Sequence, residues 1–283
     1  MLGHKLVQSL RNRFDVWATV RADFVRLERF GIYEKDRTIT GIDVGDIDAV
    51  ASAIGICRPH VVINCVGIIK QLPEAHDPIT SLKINSLLPH QLDRLCRVAN
   101  ARLIHISTDC VFNGEKGNYR ESDPSDAEDL YGKTKFLGEV SGDVCLTLRT
   151  SIIGREMTSS KSLIDWFLSN RGKKIKGFAN AVYTGFTTNR FAEIIATVIE
   201  SHENLSGLYQ VSSDPIDKYE LLKLANRYYD ANVEIEKDTN FFCDRSLDST
   251  RFREAINFTP PSWESMIKEM ANDPTPYDSW HHA

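Results

Sequence analysis

Three side chains whose types suit carbonyl reduction lie close together in the sequence. Tyr131 and Lys135 are four residues apart, so on a helix they share one face, about one turn apart. A phenol with a pKa of about 10 is a poor acid–base group at neutral pH, and a nearby ammonium lowers that pKa by favouring the phenolate. A hydroxyl from Thr108 could hold a carbonyl oxygen where Tyr131 protonates it. The predicted catalytic set is therefore Thr108, Tyr131 and Lys135.

The elements that position these side chains are a strand and a helix. Residues 104–108 form an apolar segment that ends in hydroxyl side chains, and a loop rich in Asp, Glu, Gly and Pro leads from it to a helix at Tyr131. A Tyr–Lys pair on a helix is by itself usually a surface contact. Joined to a Ser-Thr-Asp strand end, in a chain that alternates strands and helices, the pair favours chemistry. The fold prediction is α/β, a Rossmann-like doubly wound parallel sheet.

Three motifs carry a resemblance to a known family. Ile-Ser-Thr-Asp-Cys-Val-Phe-Asn-Gly at 106–114, Glu-Ser-Asp-Pro at 121–124 and Tyr-Gly-Lys-Thr-Lys-Phe-Leu-Gly-Glu at 131–139 resemble the extended short-chain dehydrogenase/reductase superfamily, and within it the dTDP-4-dehydrorhamnose reductase family. The resemblance implies a dinucleotide-binding domain over 1–154 and a smaller C-terminal α/β substrate domain over most of 155–283, with 186–213 returning to the first domain.

The resemblance also implies an activity. Members of this family use NADPH to reduce a 4-keto-deoxyhexose linked to a nucleotide, in the biosynthesis of cell-surface polysaccharide sugars. By this likeness Tyr131 donates the proton, Thr108 orients the carbonyl, and Lys135 also hydrogen-bonds the nicotinamide ribose. Ser107 points to the opposite side of its strand and ranks second to Thr108.

The start of the chain departs from the family pattern. Gly3 matches the last glycine of the family's phosphate-binding turn, whereas the first strand and two earlier glycines are not in this sequence. Three explanations for this departure stay open: a start site assigned too late, a trimmed chain, or a natural variant without cofactor binding. Arg21 follows the second strand, where an arginine accommodates the 2′-phosphate of NADP. NADPH is therefore favoured over NADH, which stays open.

Other cofactor contacts follow from the likeness. Asp43 and Val44 match the pair that holds the adenine, with a helix cap as the alternative for the acidic residues here. The apolar strand 61–64 ends in a turn towards Gly67 that would approach the dinucleotide, while Asn64 is expected to tie neighbouring strands. The predicted cofactor-binding residues are Gly3, Arg21, Asp43, Val44, Cys65, Val66, Gly67, Tyr131 and Lys135.

Four residues are predicted to contact the substrate. Lys70 is either a solvated lysine or a diphosphate contact, and Asp109 follows Thr108. By the likeness, Arg245 and Arg251 belong to a last loop that carries basic residues towards the nucleotide, with a surface salt bridge as the alternative for each. Sugar-nucleotide 4,6-dehydratases resemble this strand but carry Glu where this chain has Cys110, which argues against dehydration. An NDP-sugar epimerase stays open as an alternative. A non-catalytic NADP-binding regulatory subunit, such as the one that serves methionine adenosyltransferase, stays open as well.

Composition narrows the class of protein. The chain has 283 residues with 42% hydrophobic and 26% charged residues, which is ordinary for a globular protein. A net charge of −5 argues against nucleic-acid and anionic-membrane partners, and no apolar run reaches the length of a membrane span. Six cysteines without paired spacing favour a reduced, cytoplasmic location. No metal site is predicted, a homodimer stays open, and the tail 277–283 is expected to be disordered or a surface patch.

Overall fold

The computed structural model describes residues 1–281, in which helices and strands alternate. The first elements are α1 (Leu2–Leu10), β1 (Ala18–Thr19), α2 (Phe24–Glu28), β2 (Thr38–Ile39), α3 (Ile47–Cys57), β3 (Val61–Asn64), α4 (Pro78–Ser81), α5 (Leu88–Val98), β4 (Arg102–Thr108), α6 (Leu130–Leu137) and β5 (Cys145–Thr150). They are followed by β6 (Ile152–Ile153), α7 (Leu163–Leu168), β7 (Lys174–Tyr183), β8 (Phe186–Thr187), α8 (Thr188–Ser201), β9 (Gly207–Gln210), β10 (Ile216–Asp217), α9 (Lys218–Tyr228), β11 (Glu234–Asp244), α10 (Thr250–Ile256), α11 (Trp263–Ala271) and α12 (Tyr277–His281).

A four-stranded parallel sheet in the order β3-β4-β5-β9 forms the centre of the fold. Strands β4 and β5 are almost entirely buried, as parallel strands covered by helices on both faces are. Thr108 and Thr150 are paired at the carboxyl end of these strands, the edge at which ligands bind in open α/β sheets. The predicted α/β, Rossmann-like fold class is confirmed.

Strands β1 and β2 form a separate parallel pair. In the Rossmann order 3-2-1-4-5-6, the first strand lies between this pair and the rest of the sheet. Among residues 1–281 no strand joins β1 to β3, and the apolar residues Val61, Val62 and Ile63 of β3 are half-exposed. Strands β1 and β2 are short, because each has one partner and pairs over two residues.

A second sheet in the order β10-β7-β11 lies in the C-terminal half. Strand β11 is parallel to β7 and continues to Asp244, because pairing with β7 resumes after an irregularity between Asp238 and Phe242. Helix α9 packs on β7. Strand β9, by contrast, pairs with β5 in the central sheet.

The C-terminal segment is ordered as helix α12, so the prediction of a disordered or surface tail was wrong for residues 277–281. Tyr277 and Trp280 are buried, and the Trp280 ring packs edge-on against Phe30 at 5.0 Å between centroids. The Tyr277 hydroxyl lies 2.9 Å from His4 Nε2. Two aromatic side chains three positions apart give this short helix one apolar face, which covers the start of the chain. Positions 282 and 283 lie outside the described residues.

Candidate active site

Helix α6 begins where a glycine allows it to approach the end of β4. The Asp129 side chain caps the helix by accepting the Gly132 N–H at 2.8 Å. A Cβ at Gly132 would lie 2.2 Å from the Cys110 carbonyl oxygen, so only glycine fits at this position. The close approach places Tyr131 beside the segment that follows Thr108.

Thr108 and Tyr131 are brought together at the carboxyl edge of the sheet. The Thr108 hydroxyl donates to Asp109 Oδ1 at 3.1 Å and accepts the Cys110 N–H at 3.1 Å, which caps the short turn after β4. Burial raises the pKa of Tyr131, the Cys110 thiol and Asp109 raise it further, and the neighbouring Thr108 hydroxyl opposes the rise. The Tyr131 phenol is therefore protonated at neutral pH and can act as an acid.

Lys135 is buried one turn beyond Tyr131. Its Nζ donates to the Ile106 carbonyl oxygen at 2.8 Å, and this is its one acceptor in the described part of the chain. Because an ammonium has three donors, two N–H groups remain for a ligand. Burial lowers the pKa of Lys135 to about 8, and the Glu139 carboxylate opposes that fall. Burial is the largest influence on the pKa of Tyr131 and raises it. In the described part of the chain Lys135 is not among the neighbours that shift this pKa, so the pKa-lowering role that the sequence assigned to Lys135 does not appear.

Asn85 supports the site from below α6. Its Nδ2 donates to Ile68 O at 3.0 Å and to Thr134 Oγ1 at 3.2 Å, and its Oδ1 accepts the Ile68 N–H at 2.8 Å. The loop after β3 is thus tied to α6. Asn85 lies in a π-helical segment, Leu82–Leu87, a distortion that is frequent at functional sites. Asn64 hydrogen-bonds His105 Nδ1 at 3.1 Å and thereby links β3 to β4, as predicted.

The N-terminus of α1 lies against the end of β3. A Cβ at Gly3 would be 3.9 Å from Cys65 Cβ, so the structure brings Gly3 together with the Cys65–Gly67 turn. Met1 provides no side-chain cap to α1, so the first helical N–H groups are available to an anion. Val66 is 41% exposed, which is consistent with a surface left open for a ligand.

The adenine-side residues follow the separate strand pair. Arg21 is exposed just after β1, and Val44 is half-buried against the apolar cluster around Val50. Asp43 accepts the Gly45 N–H at 2.8 Å, whereas Asp46 caps helix α3. The helix-cap alternative therefore applies to Asp46 and leaves Asp43 outside the helix.

Three of the predicted substrate residues surround Tyr131. Lys70 donates to Asp129 at 2.6 Å and lies 5.6 Å from the centroid of the Tyr131 ring, so it is a neighbour of the phenol rather than a freely solvated lysine. Asp109 is buried beside Thr108. Arg245 Nε donates to the Phe112 carbonyl oxygen at 2.7 Å, which holds its guanidinium over the segment after β4.

The structure does not bring Arg251 to Tyr131, and a substrate contact by Arg251 stays a prediction. Arg251 Nη1 donates to Leu208 O at 2.8 Å, and its guanidinium stacks on Tyr209 at 4.2 Å. Helix α10 begins one residue earlier, at Thr250, and turns Arg251 towards the edge strand β9. Arg251 lines a surface cleft of about 640 Å³ there, together with Glu121 and Asp248.

Sequence reasoning missed three residues near the site. Tyr183 comes from β7 and is buried close enough to Asp109 and Cys110 that both contribute to its raised pKa, after burial itself. No sequence signal links it to β4, because the contact crosses between the two sheets. Glu139 and Arg149 form a buried ion pair behind α6. The spacing of four residues from Lys135 to Glu139 could have identified Glu139.

Comparison with known protein families agrees with this arrangement. The model of the family described as RmlD substrate binding domain matches residues 1–275. The chain belongs to this family. The assignment to the short-chain dehydrogenase/reductase superfamily, dTDP-4-dehydrorhamnose reductase family, is thereby confirmed.

Two curated relatives resemble this RmlD-family chain over part of its length. A dTDP-4-dehydrorhamnose reductase from Streptomyces griseus is 37% identical over 99 residues, which are 35% of this chain and 33% of the relative. A methionine adenosyltransferase 2 subunit beta from Danio rerio is 37% identical over 95 residues, which are 33% of this chain and 28% of the relative. The matched stretches therefore span about a third of these relatives' length.

A solved structure supports the fold. The dTDP-4-dehydrorhamnose reductase from Bacillus anthracis, solved in complex with NADP, has a TM-score of 0.72 and 20% identity, covering 90% of this chain and 97% of its own. In residues 1–281 of the RmlD-family chain, no helix has the length and apolar character needed to cross a membrane. The same residues contain no group of three His, Cys, Asp or Glu side chains placed to hold a metal ion.

Proposed function

We propose that this protein is an NADPH-dependent reductase of a nucleotide-linked 4-keto-deoxyhexose. The observation that carries the proposal is the position of Tyr131, with the Thr108 hydroxyl beside it and Lys135 one helical turn beyond, at the carboxyl edge of the parallel sheet. The similarity to dTDP-4-dehydrorhamnose reductases supports the substrate class.

The residues present fit a nicotinamide cofactor, which when bound supplies a hydride. The two free N–H groups of Lys135 would hold the hydroxyls of the nicotinamide ribose. The N-terminus of α1 at Gly3 would face the pyrophosphate, and the exposed Arg21 would meet a 2′-phosphate. Cys65, Val66 and Gly67 would line the groove, with Asp43 and Val44 towards the adenine.

The protein side of the chemistry is proton donation. As the ketone carbon is reduced to an alcohol carbon, the Tyr131 phenol gives its proton to the carbonyl oxygen, and the Thr108 hydroxyl holds that oxygen in place. Burial keeps the phenol protonated before this step. Lys70 carries positive charge beside Tyr131, and Arg245 carries it beside the segment after β4, which suits the diphosphate of a nucleotide sugar.

The first prediction concerns Tyr131→Phe. Because the variant keeps the ring and removes the proton donor, the turnover rate with dTDP- or UDP-linked 4-keto-6-deoxyhexoses should fall about 10²–10⁴-fold, while the NADPH dissociation constant changes little. The measurement is NADPH oxidation at 340 nm alongside a fluorescence titration of NADPH. Tyr219→Phe, at a partly buried position where α9 packs on β7, is the matched control. Equal turnover in wild type and Tyr131→Phe would contradict the proposal.

One alternative has a specific observation behind it. The similarity to the beta subunit of methionine adenosyltransferase 2 favours a non-catalytic, NADP-binding regulatory subunit. NADPH binding without turnover on every keto sugar would support that role. An NDP-sugar epimerase would instead interconvert sugars without net loss of NADPH.

The proposal also covers location and partners. A cytoplasmic location is supported by six cysteines that all remain free thiols. The proposed partner is a nucleotide sugar, and binding to nucleic acid is not expected. A homodimer remains a prediction, which sedimentation would test.

A further inference from the structure

A buried ion pair lies behind the catalytic helix. Arg149 of β5 donates from Nε to Glu139 Oε1 at 2.9 Å and from Nη2 to Oε2 at 2.6 Å, and Ser107 of β4 donates to Oε1 at 2.6 Å. The two charged side chains are 2% and 8% exposed. The Glu139 carboxylate is therefore fixed by three hydrogen bonds to two central strands.

A contribution to stability does not by itself explain why this buried ion pair is present. Replacing a buried ion pair by apolar side chains is often neutral or stabilising, because two charges no longer have to leave water. Arg149 Nη1 has no hydrogen-bond partner in the described part of the chain. Gln210, which is opposite Arg149 in the sheet register, has no partner for either side-chain polar atom there. The arrangement thus fixes the Glu139 carboxylate while leaving other polar groups unsatisfied.

The position of Glu139 connects the pair to the active site. Glu139 lies two residues beyond the end of α6 and accepts from Ser107, the residue that follows Ile106, whose carbonyl oxygen accepts from Lys135 Nζ. The carboxylate and the Lys135 ammonium are therefore held by adjacent residues of β4. The other titratable neighbours of Lys135 are Cys65 at the end of β3 and His105 on β4. Burial lowers the pKa of His105 well below its usual value, so it is neutral, and a thiol is largely neutral at pH 7. Glu139 is therefore the fixed negative charge that faces Lys135 among residues 1–281.

We propose that Glu139, held in place by Arg149 and Ser107, is a positioning residue that keeps Lys135 charged and aligned for cofactor and Tyr131. This inference rests on the proposed function, in which Lys135 holds the nicotinamide ribose. The carboxylate attracts the ammonium and opposes the effect of burial. Lys135 is then an ammonium below pH 8 and loses its charge as the pH rises through about 8.

Removing the carboxylate should lower the pKa of Lys135 further. Glu139→Gln alone would leave Arg149 buried without a partner, so the informative variant combines Glu139→Gln with Arg149→Met. We expect the Lys135 titration to move to lower pH by about one unit. Glu139→Asp retains the charge and should restore most of the shift, and neutralising the exposed Glu220–Lys223 pair on α9 is the matched control.

The primary readout needs neither cofactor nor substrate. A ¹³Cε-lysine NMR titration follows the Lys135 resonance, assigned with Lys135→Arg, in wild type and in the Glu139→Gln/Arg149→Met variant. The second readout is the alkaline limb of turnover, which should shift by the same amount while turnover at pH 6 changes less than about threefold. If wild type shows no turnover, the proposed function fails and the NMR titration still decides this inference.

Two results would overturn the inference. One is an unchanged Lys135 titration in a variant that remains folded by circular dichroism, which would leave the ion pair with a structural role only. The other is a failure of Glu139→Asp to fold, because a pair that retains both charges would then be needed for folding itself.

Discussion

At the residue scale, the site depends on which group sets the protonation of Tyr131. Burial dominates and keeps the phenol protonated, and the Thr108 hydroxyl is the neighbour that favours its ionisation. The second prediction follows: Thr108→Val, which is nearly isosteric, should lower turnover by about 10–10³-fold because it removes one donor to the developing alkoxide, whereas Thr108→Ser should retain most activity. Steady-state kinetics with NADPH held at saturation would measure both. A fully active Thr108→Val would rule out the orienting role.

At the element scale, the contact between α6 and the end of β4 places Tyr131. A Cβ at Gly132 would meet the Cys110 carbonyl oxygen at 2.2 Å and Ala127 Cβ at 2.5 Å. The third prediction is that Gly132→Ala costs about 1–3 kcal/mol of unfolding free energy through overpacking and moves α6 away from Thr108, so that turnover falls. Urea denaturation measures the stability. Gly55→Ala in α3 is the matched control, because nothing lies within 4 Å of its added Cβ, and it should be neutral or slightly stabilising.

At the scale of the whole molecule, the sheet is divided into β1-β2 and β3-β4-β5-β9. The valines and isoleucine of β3 are half-exposed, whereas such apolar residues are typical of a parallel strand covered on both faces. The fourth prediction is that a designed apolar strand and Gly-x-x-Gly turn, fused before Met1, raises both the melting temperature and the affinity for NADPH. The added strand would bury β3, and the turn would supply backbone N–H groups to the pyrophosphate. A scrambled, equally long extension is the control, and equal behaviour of the two extensions would contradict the prediction.

The sequence alone predicted the features that depend on local residue pattern and on motifs. The buried strand ending at Thr108, the helix bearing Tyr131 and Lys135, and the structural role of Asn64 were all visible from residue type and spacing. The length of β11, the packing of α12 and the direction of Arg251 were not, because each depends on a partner element distant in the chain. The influence of Asp109 and Cys110 on the pKa of Tyr183 likewise links segments distant in the chain.

The most direct test of carbonyl reduction follows the hydride and the proton together. Wild-type protein, NADPH deuterated at both hydrogen positions on C4 of the nicotinamide, and a dTDP-linked 4-keto-6-deoxyhexose should give a 4-hydroxy sugar with one deuterium on the former ketone carbon, detected by mass spectrometry and NMR. Tyr131→Phe should give little of it. A product without deuterium, or the same labelled product at the same rate from Tyr131→Phe, would contradict the assignment of Tyr131 as the proton donor of a reductase.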